Sequence, residues 1–113
     1  MTLQETIDAV RAWGLDRQIT GPQGKGTLLG QLEKTQEELD ETRAAARLVL
    51  SAESFESRSM ATAELIDGIG DTVVTLILAA EMAGLRIEDC LAAAYDEIKG
   101  RTGRMEAGVF VKD

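Results

Sequence analysis

The residues best placed to do chemistry are carboxylates that recur with a helical spacing. From about residue 27 to 52, Gln31, Lys34, Glu38, Glu41, Ala45 and Leu48 alternate three and four residues apart, which lines them along one face of an α-helix. Met60, Glu64, Asp67, Asp71, Val74 and Leu78 repeat the pattern on a second long segment. Each stripe is acidic at one end and apolar at the other, so the acids share the seam that faces other helices. Lone carboxylates taken out of water there would cost several kcal/mol, about 3 to 5 for an uncompensated charge. A cation is therefore expected among Glu38, Glu41, Asp67 and Asp71. An all-oxygen donor set without histidine or thiolate suits Mg²⁺, or Mn²⁺ in its place, far better than zinc.

An acidic run such as Glu37-Glu38-Leu39-Asp40-Glu41 on its own is commonly a solvated helix face. The second stripe is more specific. Asp67 and Asp71 stand beside Ile66, Ile69, Val73 and Val74, and Gly68 and Gly70 weaken a helix they interrupt. Those glycines point to close helix approach or to ligand access.

Composition narrows the chemistry further. The chain has no histidine and one cysteine, Cys90, which excludes His-based metal sites, Ser-His-Asp and Cys-His mechanisms and any intrachain disulfide. A formal net charge of −8 argues against nucleic acid and anionic membranes as partners, since phosphate binding relies on Lys and Arg. A phosphorylated small molecule is still admissible if divalent cations bridge it to the carboxylates. The N-terminal Met1–Val10 is acidic and amphipathic, unlike a secretory signal, and the apolar run from Thr72 to Ala80 is too short to span a bilayer. The expected compartment is the cytoplasm.

The elements that must position these residues are helices. With 113 residues, 44% hydrophobic, and one proline, the chain suits a single all-α domain. Thr2 to Trp13 carries Ile7, Val10 and Trp13 at helical spacing, with Thr2 as cap and Gly14 as stop. Thr20 to Gly26 reads as a loop. The first long helix runs from about Thr27 to Ala52, with Leu28, Leu32, Leu39, Ala46 and Val49 supplying an apolar face. After a turn-like Ser51–Ser59 region, capped by Ser57 or Ser59, a second long helix runs to about Ala83 and stops at Gly84. Ile87 to Ile98 forms another helix, closed by Gly100, and the tail forms an extended strand or small hairpin over the bundle. The expected fold is a bundle of two long and two shorter helices with a short extended tail. Long helices bearing Leu76, Ile77, Ala79 and Ala80 would complete it by pairing into a homodimer or homotetramer.

Three blocks of residues resemble the MazG-like, all-α nucleoside triphosphate pyrophosphohydrolases, especially their short, single-domain phage and prophage forms. The family's Q-x-x-K-x-x-E-E-x-x-E pattern appears as Gln31, Lys34, Glu37, Glu38 and Glu41. Its G-D-x-x-x-x-L turn appears as Gly70, Asp71 and Leu76. Its ending resembles Ile98 to Met105 followed by Gly108-Val109-Phe110-Val111-Lys112. The likeness covers residues 27 to 113. One departure stands in the second block, where the family has E-x-x-D but Gly68 lies three before Asp71. Asp67, four before, is the natural substitute, while Glu64 and Asp67 satisfy E-x-x-D literally, so both registers remain open.

The resemblance implies one MazG-like domain over 1–113. It would hydrolyse a nucleoside or deoxynucleoside triphosphate to the monophosphate and pyrophosphate, to sanitise or control a nucleotide pool. It implies Mg²⁺ held by Glu38, Glu41, Asp71 and Asp67, with Glu37 or another spare carboxylate orienting water and Glu38 shared between ligation and catalysis. Gln31, Lys34, Lys99, Arg101 and Arg104 would touch phosphate or base. Two rivals differ in class or breadth: a non-catalytic acidic helical interaction module, and a pyrophosphatase specific for dUTP. The loop Gly21 to Thr27 is not a P-loop, because the spacing would need glycine at Ile19 and no apolar strand precedes it.

Overall fold

A computed structural model describes all residues 1–113 as four helices and one β-hairpin: α1 (Leu3–Asp16), α2 (Leu28–Ser51), α3 (Phe55–Met82), α4 (Ile87–Ile98), β1 (Gly103–Glu106) and β2 (Val109–Lys112). Thr2 caps α1 through a reciprocal capping box with Glu5, and Thr27 caps α2 through the Gly30 amide. Gly84 ends α3 with a positive φ of 72°. No single helix is long and apolar enough to cross a membrane.

Two helix boundaries differ from expectation. Gly14 does not stop α1 but lies buried inside it, because a side chain there would run into Leu78 of α3. The turn between the long helices is also shorter than the Ser51–Ser59 region. Ser54, not Ser57 or Ser59, caps α3, and Ser57 is its capping-box partner.

Helix α3 is the hub and packs on α2, α1 and α4, whereas α1 and α4 do not pack on α2. The antiparallel α2–α3 pair is keyed by threonines. The Thr35 hydroxyl donates to Thr75 Oγ1 at 2.8 Å, Thr75 donates to the Thr72 carbonyl at 2.7 Å, and the Gln31 amide donates to the Thr75 carbonyl at 3.2 Å. One face of α3 turns inward through Ala61, Leu65, Gly68, Thr72, Thr75 and Ala79, all buried or half-buried. Opposite it on α2 lie Gln31, Thr35, Glu38, Thr42 and Ala45. Gly68 makes this approach possible, since a Cβ there would meet Thr42 Cα at 3.1 Å. Gly70 faces open space.

Helix α1 is clamped by Arg11, whose side chain is 12% exposed and bonds Asp8, Glu81 of α3 at 2.7 Å and Glu88 of α4. Gln4 adds a 2.8 Å bond to Glu88. These charge-assisted bonds join three helices at one point.

The apolar faces differ most from the sequence reading. Only 11 of 113 residues are buried, and no large side chain is fully enclosed. Leu28, Leu32 and Leu39 of the expected α2 face are 40 to 43% exposed, because the threonine-keyed register turns Glu38 and Ala45 inward instead. Ile77, Ala79 and Ala80, expected on a pairing surface, are buried within the chain. The apolar stripe left open on α3 is Ile66, Ile69, Val73 and Leu76.

The tail is an antiparallel hairpin, not a simple extended segment. Ala107 and Gly108 both adopt positive φ, 49° and 83°, the signature of a two-residue type I′ turn. It does not lie over the bundle: β1 and β2 pack on each other and on no helix.

Candidate functional site

The antiparallel register sets the level of each acid. With Thr35 opposite Thr75 and Thr42 opposite Gly68, Glu38 falls at the level of Asp71 and Thr72, and Glu41 at that of Asp67 to Asp71. The outcome is a cleft of about 230 Å³ lined by Glu41, Ala45, Glu64, Asp67, Gly68 and Asp71. Both rival ligands, Glu64 and Asp67, are in it. All four acids are exposed, which corrects their placement on the buried seam: they stand one helical position off it, on its rim. Water solvates them there, so the desolvation cost that motivated a cation falls on Glu38 instead.

Glu38 is 8% exposed and its Oε2 is buried without a hydrogen-bond partner. Its Oε1 lies 3.3 Å from Lys34 Nζ, which also reaches Glu37 at 3.4 Å. The bond to Glu38, then that to Glu37, holds the Lys34 ammonium above the usual lysine range. Glu38 lines a second pocket of about 290 Å³ together with Asp71, Lys34, Gln31, Thr75, Val74, Leu78, Ile19 and Trp13. Asp71 is thus common to both pockets and connects them. As the side chains stand, no three carboxylates converge at coordinating distance.

No family model, curated protein or solved structure matches this chain.

The remaining expected residues divide. Gln31 and Lys34 line the second pocket, although Gln31 is also engaged with the Thr75 carbonyl and Lys34 with Glu37 and Glu38. Glu37 is exposed, paired with Lys34, and lines neither pocket. Lys99 pairs with Asp96, and Arg104 with Glu106 on a hairpin that packs on no helix. Neither they nor Arg101 reach the carboxylates within one chain. Trp13, half exposed and with the Arg17 guanidinium 5.7 Å from its ring centroid, and Thr75 also line the second pocket, where the acidic stripes alone do not lead one to expect them. The signal for Thr75 was present in the helical spacing of Thr72 and Thr75 against Thr35 and Thr42. For Trp13 there was none, because its place depends on how α1 docks.

Proposed function

We propose that the chain is a Mg²⁺-dependent nucleoside triphosphate pyrophosphohydrolase of the MazG-like type, Mn²⁺ serving as a substitute. It hydrolyses the phosphoanhydride linkage between the α and β phosphates, water's oxygen bonding one phosphorus as that phosphorus parts from the bridging oxygen, giving a nucleoside monophosphate and pyrophosphate. The observation that carries this reading is Glu38 Oε2, buried without a partner at the level of Asp71, beside a cleft walled by four more carboxylates. An oxygen-only donor set with one orphaned oxygen fits a hard divalent cation. Glu38, Glu41, Asp67 and Asp71 would hold it after rotamer changes that leave the helices in place, with Glu64 at the cleft's far end left free of it. When bound, the ion supplies charge neutralisation for the triphosphate and Lewis acidity towards water.

The residues themselves supply the rest. A cleft carboxylate not engaged with the ion accepts a proton from the attacking water; Glu37, tied to Lys34 outside both pockets, is worse placed for that role. Lys34 stands where it can meet a phosphate oxygen once Glu38 turns to the ion. The second pocket offers the nucleoside an apolar wall of Ile19, Val74 and Leu78 and the face of Trp13. The chain pairs with itself through the Ile66, Ile69, Val73 and Leu76 stripe, which in a lone chain stays in water. Its setting is the cytoplasm and its role is control or sanitation of a nucleotide pool.

The deciding experiment is incubation with a panel of canonical and modified triphosphates and Mg²⁺, with products followed by ³¹P NMR. Monophosphate and pyrophosphate are expected. Orthophosphate with a diphosphate would overturn the regiochemistry, turnover of dUTP alone would establish the narrow variant, and no turnover of any triphosphate would favour the acidic interaction module.

A further inference from the structure

The C-terminal hairpin is an arm with nothing to hold in its own chain. It packs on no helix, and every residue from Leu91 to Asp113 is exposed. Two strands alone are marginally stable in water. The register pairs Met105 with Phe110 on one face and Arg104 with Val111 on the other. Met105 and Phe110 are 66% and 54% exposed. Gly103 leaves room for the Phe110 ring to lie across the strand, so this face is a preformed apolar surface.

The same chain carries an unfilled counterpart. A groove of about 600 Å³ opens between α1, α3 and α4, walled by Leu3, Ile7, Val73, Ile77, Leu91 and Tyr95. Its polar lining is Gln4 and Glu88, already bonded to each other. The hairpin follows directly from α4 and yet does not enter it. Charge favours a second copy as the occupant. Residues 99–113 hold four basic side chains, Lys99, Arg101, Arg104 and Lys112, against two acidic ones, Glu106 and Asp113. They form a basic arm on a chain of net charge −8, so the arm is drawn to another copy's acidic body while the bodies repel.

We propose that the hairpin seats on a second copy of this chain, its Met105–Phe110 face in that copy's groove between α1, α3 and α4. A two-fold arrangement fills both grooves with both arms. This deepens the self-association through α3 and is independent of the catalytic reading.

The test uses the full chain with p-benzoylphenylalanine at position 110, mixed as ¹⁴N and ¹⁵N copies and irradiated. Mixed-isotope cross-links from position 110 to peptides of α1, α3 or α4 lining the groove are expected. In the unmodified chain, hairpin amides should gain protection from exchange as concentration drives dimer formation. Met105→Asp with Phe110→Asp should weaken dimerisation at least about tenfold, with helical circular dichroism unchanged because the hairpin supports no helix. Cross-links confined to one chain, cross-links outside the groove, a dimer whose hairpin amides exchange freely, or a monomer at every concentration would each overturn the proposal.

Discussion

Glu38 and Asp71 line the same pocket from facing helices, yet Glu38 is buried with one orphaned oxygen while Asp71 is exposed and also lines the neighbouring acidic cleft. The pair joins the least solvated carboxylate to the one shared by both pockets. That division of labour yields distinct expectations for the two residues.

Glu38→Gln keeps the shape and removes the charge, giving up the ion pair with Lys34 while relieving the unpartnered Oε2. In metal-free buffer these effects oppose each other and its stability should stay within about 1 kcal/mol of the parent's, while triphosphate turnover is lost. The parent's melting temperature should rise with millimolar Mg²⁺ and fall in EDTA, and that of Glu38→Gln should respond less. Calorimetric melts indifferent to metal in the parent would remove the ion from the site.

Among the cleft acids, Asp71→Asn should lower kcat/KM at least about a hundredfold, or roughly 2.7 kcal/mol of transition-state stabilisation. Asp67→Asn should be more damaging than Glu64→Gln, because the helix register places Asp67 and Asp71 on either side of Glu41, with Glu64 a turn further away. Steady-state kinetics on the three folded variants decide the order. A dead Glu64→Gln beside an active Asp67→Asn would reverse it.

The two glycines of α3 should respond oppositely. Gly68→Ala forces a methyl against the Thr42 backbone at 3.1 Å and should cost about 1 to 3 kcal/mol by overpacking. Gly70→Ala meets nothing within 4 Å and should stabilise the helix by about 1 kcal/mol. Urea denaturation of both variants checks the signs.

Lys34 supplies a pH dependence whose sign is fixed. Its ammonium is held above the usual lysine value of 10.5, by Glu38 first and Glu37 second. A cation raised on folding contributes stability that is complete below its unfolded value and is lost as pH rises through the folded one. Stability should therefore be insensitive to Lys34 titration near neutrality and decline in the alkaline range, and Lys34→Met should flatten that decline. Denaturant midpoints measured across alkaline pH test it. An equally steep decline in the variant would assign the effect to other groups.

Helical periodicity alone determined four helices, their approximate ends, and two acidic stripes, because spacing fixes which side chains share a face. The stop at Gly84 and the cap at Thr2 were legible for the same local reason. What periodicity cannot contain is which neighbour covers a face. The docking of α2 on α3 decided that, through Thr35 against Thr75 and Thr42 against Gly68. It turned Glu38 inward, left Glu41, Glu64, Asp67 and Asp71 on a solvated rim, and exposed leucines that the pattern had assigned to the core. It also distinguished Gly68, which a methyl would push apart from α2, from Gly70, which touches nothing. The hairpin shows the same division: its Gly108 turn was foreseeable from local chemistry, but its detachment from the bundle depends on where α4 points its end, and that is set by the Arg11 clamp and the packing of α4 on α3.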